Sequence, residues 1–419
     1  MEAPELRKIL QRLVNGDCLP SPSPLLLKVL ELAASEQASV AELTQLIARD
    51  PAMTTRLLKI ANSAFYSHGR SVSSLSQAVL VIGFTKLRTL ALSLALRDSF
   101  PMGRVGAMDY EFFWKTSLYR AFVAQGVARL EPFARRLSSD EAFTAGLILE
   151  IGLLMLHYLC PPELKNIFPG ADVPLEEIIA WEQQHLNMNH RQIGRMTLAR
   201  WSFPEQLLET QKYFGAEALR EERSTLCRLL EFSRATAEIF FGSRSDFGFI
   251  QETAMRLGFS IDSANEILNG AFAMVESIAS ELRLHMESAK EVLLVLEKAH
   301  RGLIRIGEAL HENWGKIREA MGTSPRAGRE ATTVELHHVL EAALFGMTYD
   351  VCDPLEAIHS FATKVASDPK ASTQLLSPAG TVLQEAQRLQ ELARRILSAL
   401  ESQRGRLEPG DTTEPGLPH

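Results

Sequence analysis

Three times in its first hundred residues the chain opens a helix with the same grammar. In "SVAEL", Ser39 stands as N-cap with Glu42 three residues on, the spacing at which each side chain satisfies the other's free backbone N–H. Asp50 then caps a helix whose first position is Pro51, where a missing N–H costs nothing. In "SLSQAVLVIG", Ser74 and Gln77 repeat the box and Gly83 marks the stop. Between these signals Met53, Leu57, Leu58 and Ala61 recur on one helix face. No stretch alternates apolar and polar residues as a half-buried strand would. These features predict an all-α fold, with residues 1–280 forming one multi-helix domain.

From Glu281 the pattern changes. Leu282, Ala289, Val292, Leu296, Ala299, Leu303, Ile306, Leu310 and Ile317 follow spacings of three and four, with His285 and Asn313 as polar members of the seam. That repeat predicts a coiled-coil helix over 281–321; the competing reading is a long helix lying on its own domain. "GTSPRAGREATT", residues 322–333, reads as a linker. A helical hairpin is expected over 334–402, from Val334–Ala366 and Pro378–Ser402, and then a Pro/Gly-rich tail over 403–419 that should be disordered. Both hairpin faces are too apolar for an isolated pair, so two copies are expected to bury them in a four-helix bundle, making a homodimer.

Composition narrows the partners. The net charge is -7 and no Lys/Arg run could track a phosphate backbone, which argues against nucleic acid. The apolar runs "LRTLALSLAL" and "AGLILEIGLLMLHYL" are too short or too interrupted to span a bilayer, and the N-terminus has no apolar signal core. A cytoplasmic chain with no membrane contact is expected. Cys18, Cys160, Cys227 and Cys352 lack metal or redox spacing, and no cofactor is expected.

Several separated motifs agree on one relationship. They are Asp50-Pro51, Asn62-Ser63, Ile82-Gly83, Trp114 with Ser117, Gly146, Ile151-Gly152, "NHRQIG" and "ARWSFPEQL". Over about residues 18–240 the chain resembles the HDOD domain, the relative of metal-dependent HD hydrolases found in bacterial signalling proteins. The resemblance implies an all-α fold and a signalling role. It also locates the positions where an HD hydrolase carries metal ligands. The first ligand His falls near Thr116, the His-Asp pair on Leu149-Glu150, paired histidines on Tyr213-Phe214, and the last Asp near Ser233-Arg234. Only His190 is retained. A metal site that activates water needs several converging His and Asp side chains, so the resemblance implies a degenerate, non-catalytic site. Thr116, Glu150, His190, Tyr213 and Arg234 are the candidates for a relic pocket. His190 is expected to hydrogen-bond within the domain, and Glu150 and Glu182 to be solvated or paired. His157 and His185 are read as structural, Gly146 and Gly152 as sites of close helix approach, and Trp114 and Trp201 as buried anchors.

"LFGMTYDVCDPLEAIHSFATKV" is similar to the phosphoacceptor helix of sensor histidine kinases. Tyr349-Asp350 stands where that family has His-Glu, and Asp353-Pro354-Leu355 where it has Asn-Pro-Leu. Phosphotransfer needs an imidazole nucleophile at that position, and His359 lies nearly three turns further on. Two resemblances to degenerate enzymes together imply a signalling adaptor that works by protein–protein interaction and dimerisation. Its partners would be other signalling proteins, two-component system members among the candidates. The alternatives are a divergent metal-dependent phosphohydrolase using Glu150 and His190, or a second-messenger or nucleotide receptor using the relic pocket.

Overall fold

The computed structural model describes residues 24–34, 39–63, 65–67, 71–100, 103–105, 108–159, 173–242, 244–286, 288–322, 344, 347–367 and 373–407. Most of the expected linker, the first half of the hairpin's first helix and the end of the tail lie outside them. The described residues are almost entirely helical. By compactness the chain divides into a first unit, residues 1–244 with 257–259 and 266–291, and a second unit, residues 245–256, 260–265 and 292–419.

The first unit begins with α1 (Pro24–Ala34), α2 (Val40–Ala48), α3 (Pro51–Ala61), α4 (Leu75–Ile82) and α5 (Phe84–Asp98). Ser39 and Glu42 form the full capping box, and Asp50 accepts from Met53 N at 2.9 Å. At α4 the box is shifted: Ser74 accepts from Gln77 N, but the Gln77 amide reaches Ser73 N at 2.8 Å. Gly83, at φ 90°, lets α4 turn into α5 at 114°. No single described helix is long and apolar enough to cross a membrane.

A two-residue antiparallel pair, β1 (Arg104–Val105) with β2 (Met108–Asp109), precedes α6 (Tyr110–Ala128). It leaves no strand pattern in the sequence because Asp109, its last residue, already caps α6 through Phe112 N. The short α7 (Glu131–Ala134) leads to α8 (Ser139–Ile148) and α9 (Ile151–Leu159). The apolar run "GLILEIGLLMLHYL" is not one helix: the structure interrupts it at Leu149-Glu150. A backbone bond from Leu153 N to Glu150 O, 3.0 Å, closes the turn there.

Two glycines show why this region is so closely packed. A Cβ on Gly146 would lie 2.8 Å from Ala121 Cα on α6. A Cβ on Gly152 would lie 1.7 Å from the His190 carbonyl oxygen, where α9 crosses the start of α11 (His190–Arg200). The unit continues through α10 (Leu175–Leu186), α12 (Glu205–Glu209), α13 (Gly215–Ala218) and α14 (Thr225–Phe240). Trp114 and Trp201 are 1% and 6% exposed, as buried anchors should be.

Next come α15 (Gly248–Leu257) and α16 (Ile261–Ala279), which the two units share, and then α17 (Ser288–Gly322). The expected seam over 281–321 starts too early. Arg283 takes a left-handed conformation at φ 55°, and Leu284 N returns to Ala279 O at 2.9 Å. That bond stops α16 in the manner of a Schellman motif, so Leu282 and His285 precede α17 rather than join its seam. Arg56 and Arg97 hold the stop in place by donating to the Glu281 and Leu282 carbonyls, each at 2.8 Å.

In the second unit α17 packs with α18 (Asp353–Ser367) and α19 (Thr373–Leu407). A Cβ on Gly302 would meet Ile358 Cδ1 at 3.2 Å, Gly307 approaches Leu389, and His300 Nδ1 lies 3.1 Å from Glu385. Leu296, Ala299, Leu303, Ile306 and Leu310 of α17 are buried, as are Val382, Ala386, Ala393, Ile396 and Leu400 of α19. This corrects the expectation that a single copy must leave these stripes wet: the three helices of one chain cover them. The large apolar side chains that stay open in this unit are others, among them Leu294 and Ile304 on α17 and Leu376 and Leu392 on α19. Pro378, expected to begin the last helix, lies inside α19.

Candidate functional site

Five elements of the first unit converge on a buried ionic cluster. The α8–α9 turn brings Glu150, α10 brings Glu182, the first turn of α11 brings His190 and Arg191, α6 brings Arg120, and α14 brings Glu231 and Arg234. Asn189 caps α11 in a full box with Gln192, which fixes the direction of the next two side chains. His190 is fully buried. Its Nδ1 lies 2.7 Å from Glu182 Oε2 and its Nε2 lies 2.9 Å from Glu150 Oε2. Its backbone N–H also donates to Glu182 Oε2, at 2.9 Å. Arg191 Nη2 donates to the other Glu150 oxygen at 2.7 Å.

Electrostatics follow from this geometry. Burial disfavours a charged His190 ring, but the Glu182 and Glu150 carboxylates outweigh it and push the ring up to about 9. The ring is then an imidazolium donating from both nitrogens. Burial likewise disfavours an ionised Glu150, but Arg191 and His190 hold it far below the usual carboxylate range.

Arg234, at the position of the last expected ligand, is 2% exposed and surrounded by acids. It donates to Glu231 at 2.5 Å, to Glu238 at 2.6 Å and to Glu176 at 3.0 Å. Burial opposes its charge, but Glu231 and Glu238 more than restore it. A cavity of about 80 Å³ opens beside this cluster. Its wall includes Thr116, Arg120, Glu150, Arg234 and Glu238, with Phe112, Leu153 and Ile178 as apolar surface.

The structure therefore brings Thr116, Glu150 and Arg234 to one cavity, with His190 bonded to Glu150 behind it. Tyr213 is not on this wall. Its ring lies under the Arg223 guanidinium, 3.8 Å from the centroid, and Arg223 is tied to Glu217. The Thr116 hydroxyl is spent on the Phe112 and Phe113 carbonyls, both at 3.0 Å. His185 stacks on Trp181. Sequence reasoning missed Arg120 and Arg191. Arg191 follows His190 directly, and Arg120 lies one turn beyond Thr116, so helical spacing could have found both.

In the second unit Met347–Cys352 form a π-helical turn that runs into Asp353 and Pro354. The side chains of Tyr349 and Asp350 lie outside the described residues. Asp353 is 5% exposed, and Gln251 Nε2 donates to it at 3.2 Å and to Glu356 at 2.7 Å. Burial, then Glu356 and Glu252, push the Asp353 carboxyl up to about 6.

An HD-type hydrolase would hold metal here, and the donor set does not fit one. A metal takes a lone pair from a neutral imidazole, whereas both nitrogens of His190 face carboxylates and Arg234 places a cation where an acid would ligate. Among the described residues no group of three or more His, Cys, Asp or Glu is arranged to hold an ion.

Comparison with known proteins agrees with this architecture. Residues 19–215 match the HDOD domain family. A protein of Treponema pallidum is 24% identical over 277 residues, covering 63% of this chain and 50% of its own length. YuxH of Bacillus subtilis is 25% identical over 118 residues, covering 28% of each chain. This chain thus spans half or less of these curated relatives. Among solved structures, an HDOD domain protein of Geobacter sulfurreducens has a TM-score of 0.52 at 20% identity, covering 68% of this chain and all of its own. A protein of Shewanella amazonensis, titled as a candidate phosphohydrolase, has a TM-score of 0.51 at 22% identity, covering 65% and 96%. A protein of Marinobacter aquaeolei, titled as a candidate signal transduction protein, has a TM-score of 0.52 at 20% identity, covering 67% and 65%. Likeness at this level of identity speaks for the fold. Residues 19–215 form the HDOD-like part of the chain, and the described residues there are almost entirely helical.

Proposed function

From that domain we propose that the chain is a non-catalytic signal-transduction protein acting by protein–protein interaction. The second unit would serve as the output element, similar to a kinase dimerisation hairpin without its acceptor histidine. One observation carries the reading: His190, the single retained ligand position, is clamped between Glu150 and Glu182 at 2.9 and 2.7 Å. A doubly hydrogen-bonded imidazolium offers no electron pair to a metal, and without a metal the HD reaction has no activated water. The phosphohydrolase alternative would need Glu182 and Arg191 to release their partners together, leaving buried charges uncompensated.

The test is metal content of the purified full chain together with turnover of phosphodiester and phosphomonoester substrates. No stoichiometric metal and no turnover are expected. Manganese, iron or zinc bound stoichiometrically and lost on His190→Ala would overturn the reading. Homodimerisation belongs to the same proposal, and Leu294, Ile304, Leu376 and Leu392, each 43–46% exposed, supply apolar surface for it. Light scattering of the full chain at micromolar concentration should give a dimer; a monomer would remove dimerisation from the scheme.

A further inference from the structure

Arg120 is the one guanidinium of the buried cluster with no hydrogen bond to a carboxylate among the described residues. Arg191 is bonded to Glu150, and Arg234 to Glu231, Glu238 and Glu176. Arg120 is 3% exposed, yet only Nε, donating to Gly146 O at 2.6 Å, and Nη2, donating to Ser117 Oγ at 3.1 Å, have partners. Both N–H groups of Nη1 and one of Nη2 take none among the described residues. They belong to a residue on the wall of the cavity of about 80 Å³. Nη1 is not sealed from solvent, so these donors are open to an acceptor in the cavity.

The geometry points to a binding site for a short-chain carboxylate, its two oxygens on the Arg120 fork and its alkyl body along Phe112, Leu153 and Ile178. The planar guanidinium presents paired donors that match two oxygens of one group. The rest of the wall decides which group. Asp109, Glu150 and Glu238 also line the cavity, so a phosphate dianion would bring a second negative charge against carboxylates. A carboxylate brings only one charge. The apolar wall favours a hydrocarbon tail over bare inorganic ions, and the volume, about that of a few water molecules, limits the tail to a few carbons. Burial pulls Arg120 down to about 10, and the Glu150 carboxylate only partly offsets it.

This inference rests on the cavity being a binding site without chemistry, and its test is independent of the metal assay. Titration calorimetry of the full chain with acetate, propionate and butyrate, and separately with inorganic phosphate, reads it directly. Saturable millimolar or tighter binding of at least one carboxylate is expected, and none of phosphate. Arg120→Lys should weaken binding roughly tenfold and Arg120→Met should abolish it, since a charged hydrogen bond carries about that factor or more. Leu153→Phe leaves the guanidinium in place and narrows the cavity, so it should lose butyrate before acetate. That keeps the test alive if Arg120→Met fails to fold. Saturable phosphate binding without carboxylate binding, no saturable binding of either, or carboxylate affinity unchanged in Arg120→Lys and Leu153→Phe would each overturn the proposal.

Discussion

Two buried acidic sites of this chain are compensated in opposite ways. Around His190 buried charges meet charges of the other sign: Glu150 meets Arg191 and His190, and Arg234 meets Glu231 and Glu238. Around Asp353 the neighbours are like charges. Glu356 and Glu252 raise its carboxyl, and only the neutral Gln251 amide bridges two of the acids. The first arrangement locks a core, because each buried charge depends on its neighbours. The second leaves a strained carboxylate at a helix start preceded by a π-helical turn. The first cluster is thus held as structure, while the second unit keeps a spot whose charge state is cheap to change.

The sharpest way to break this comparison is to remove a member of the first cluster. His190→Ala strands Glu182 and leaves Glu150 to Arg191 alone. Removing one partner of a buried pair costs about 3–5 kcal/mol. Thermal unfolding should show a large loss, and a near-neutral result would mean that the cluster is wet and not locked. Packing gives a second contrast. Gly152→Ala would put a methyl group 1.7 Å from the His190 carbonyl oxygen, a backbone atom that cannot step aside. A cost of about 3 kcal/mol is expected, at the upper end for overpacking. Gly302→Ala meets only the far end of Ile358, 3.2 Å away, and should cost under about 1 kcal/mol. Equal melting temperatures for the two variants would erase the distinction.

Titration separates the sites further, because their windows do not overlap. The folded value of His190, about 9, lies above its ordinary 6.5. Its contribution is therefore whole below pH 6.5 and is lost as pH rises through about 9, up to roughly 3 kcal/mol. Asp353 is raised from 3.8 to about 6, so its ionised form weighs on the fold above pH 6 and the burden lifts as pH falls towards 3.8. Stability measured from pH 5 to 10 should fall through the upper window in the native chain. That fall should be absent in His190→Leu, if the variant folds. A fall of equal size in the variant would assign the effect elsewhere.

Much of this was legible beforehand, for definite reasons. Helix starts announce themselves locally, so Ser39, Asp50 and Ser74 could be read from a few neighbours. Gly152 was readable as a close approach, but not that it faces a carbonyl, which depends on α11 lying across α9. The seam on α17 was visible, yet its partner was not: apolar spacing tells a helix to be covered and leaves open whether a second copy or the chain's own α18 and α19 does the covering. Metal-ligand positions announce themselves through acids and imidazoles, and Arg120 and Arg191 stand beside those positions rather than at them. The Leu149-Glu150 break was hidden because both residues are good helix formers and the cause of the turn is tertiary.

The smallest expected effect tests the second site alone. Asp353→Asn keeps the oxygen that accepts from Gln251 and removes the charge that Glu356 and Glu252 oppose. Two effects compete. Relief of like-charge repulsion at a partly screened position favours the variant by no more than about 1 kcal/mol. Loss of a carboxylate in the first turn of α18 disfavours it, since an acid there interacts well with the helix dipole, by about 0.3–1 kcal/mol. Because the carboxyl is pushed up and not down, repulsion and burial outweigh the dipole in the native chain. The variant should then be slightly more stable at pH 8 and no different at pH 4, where Asp353 is largely protonated already. Glu356→Gln should act in the same direction, because it removes the partner of the same repulsion. A loss of stability in Asp353→Asn at pH 8 would mean that the dipole wins, and that the second site is as well compensated as the first.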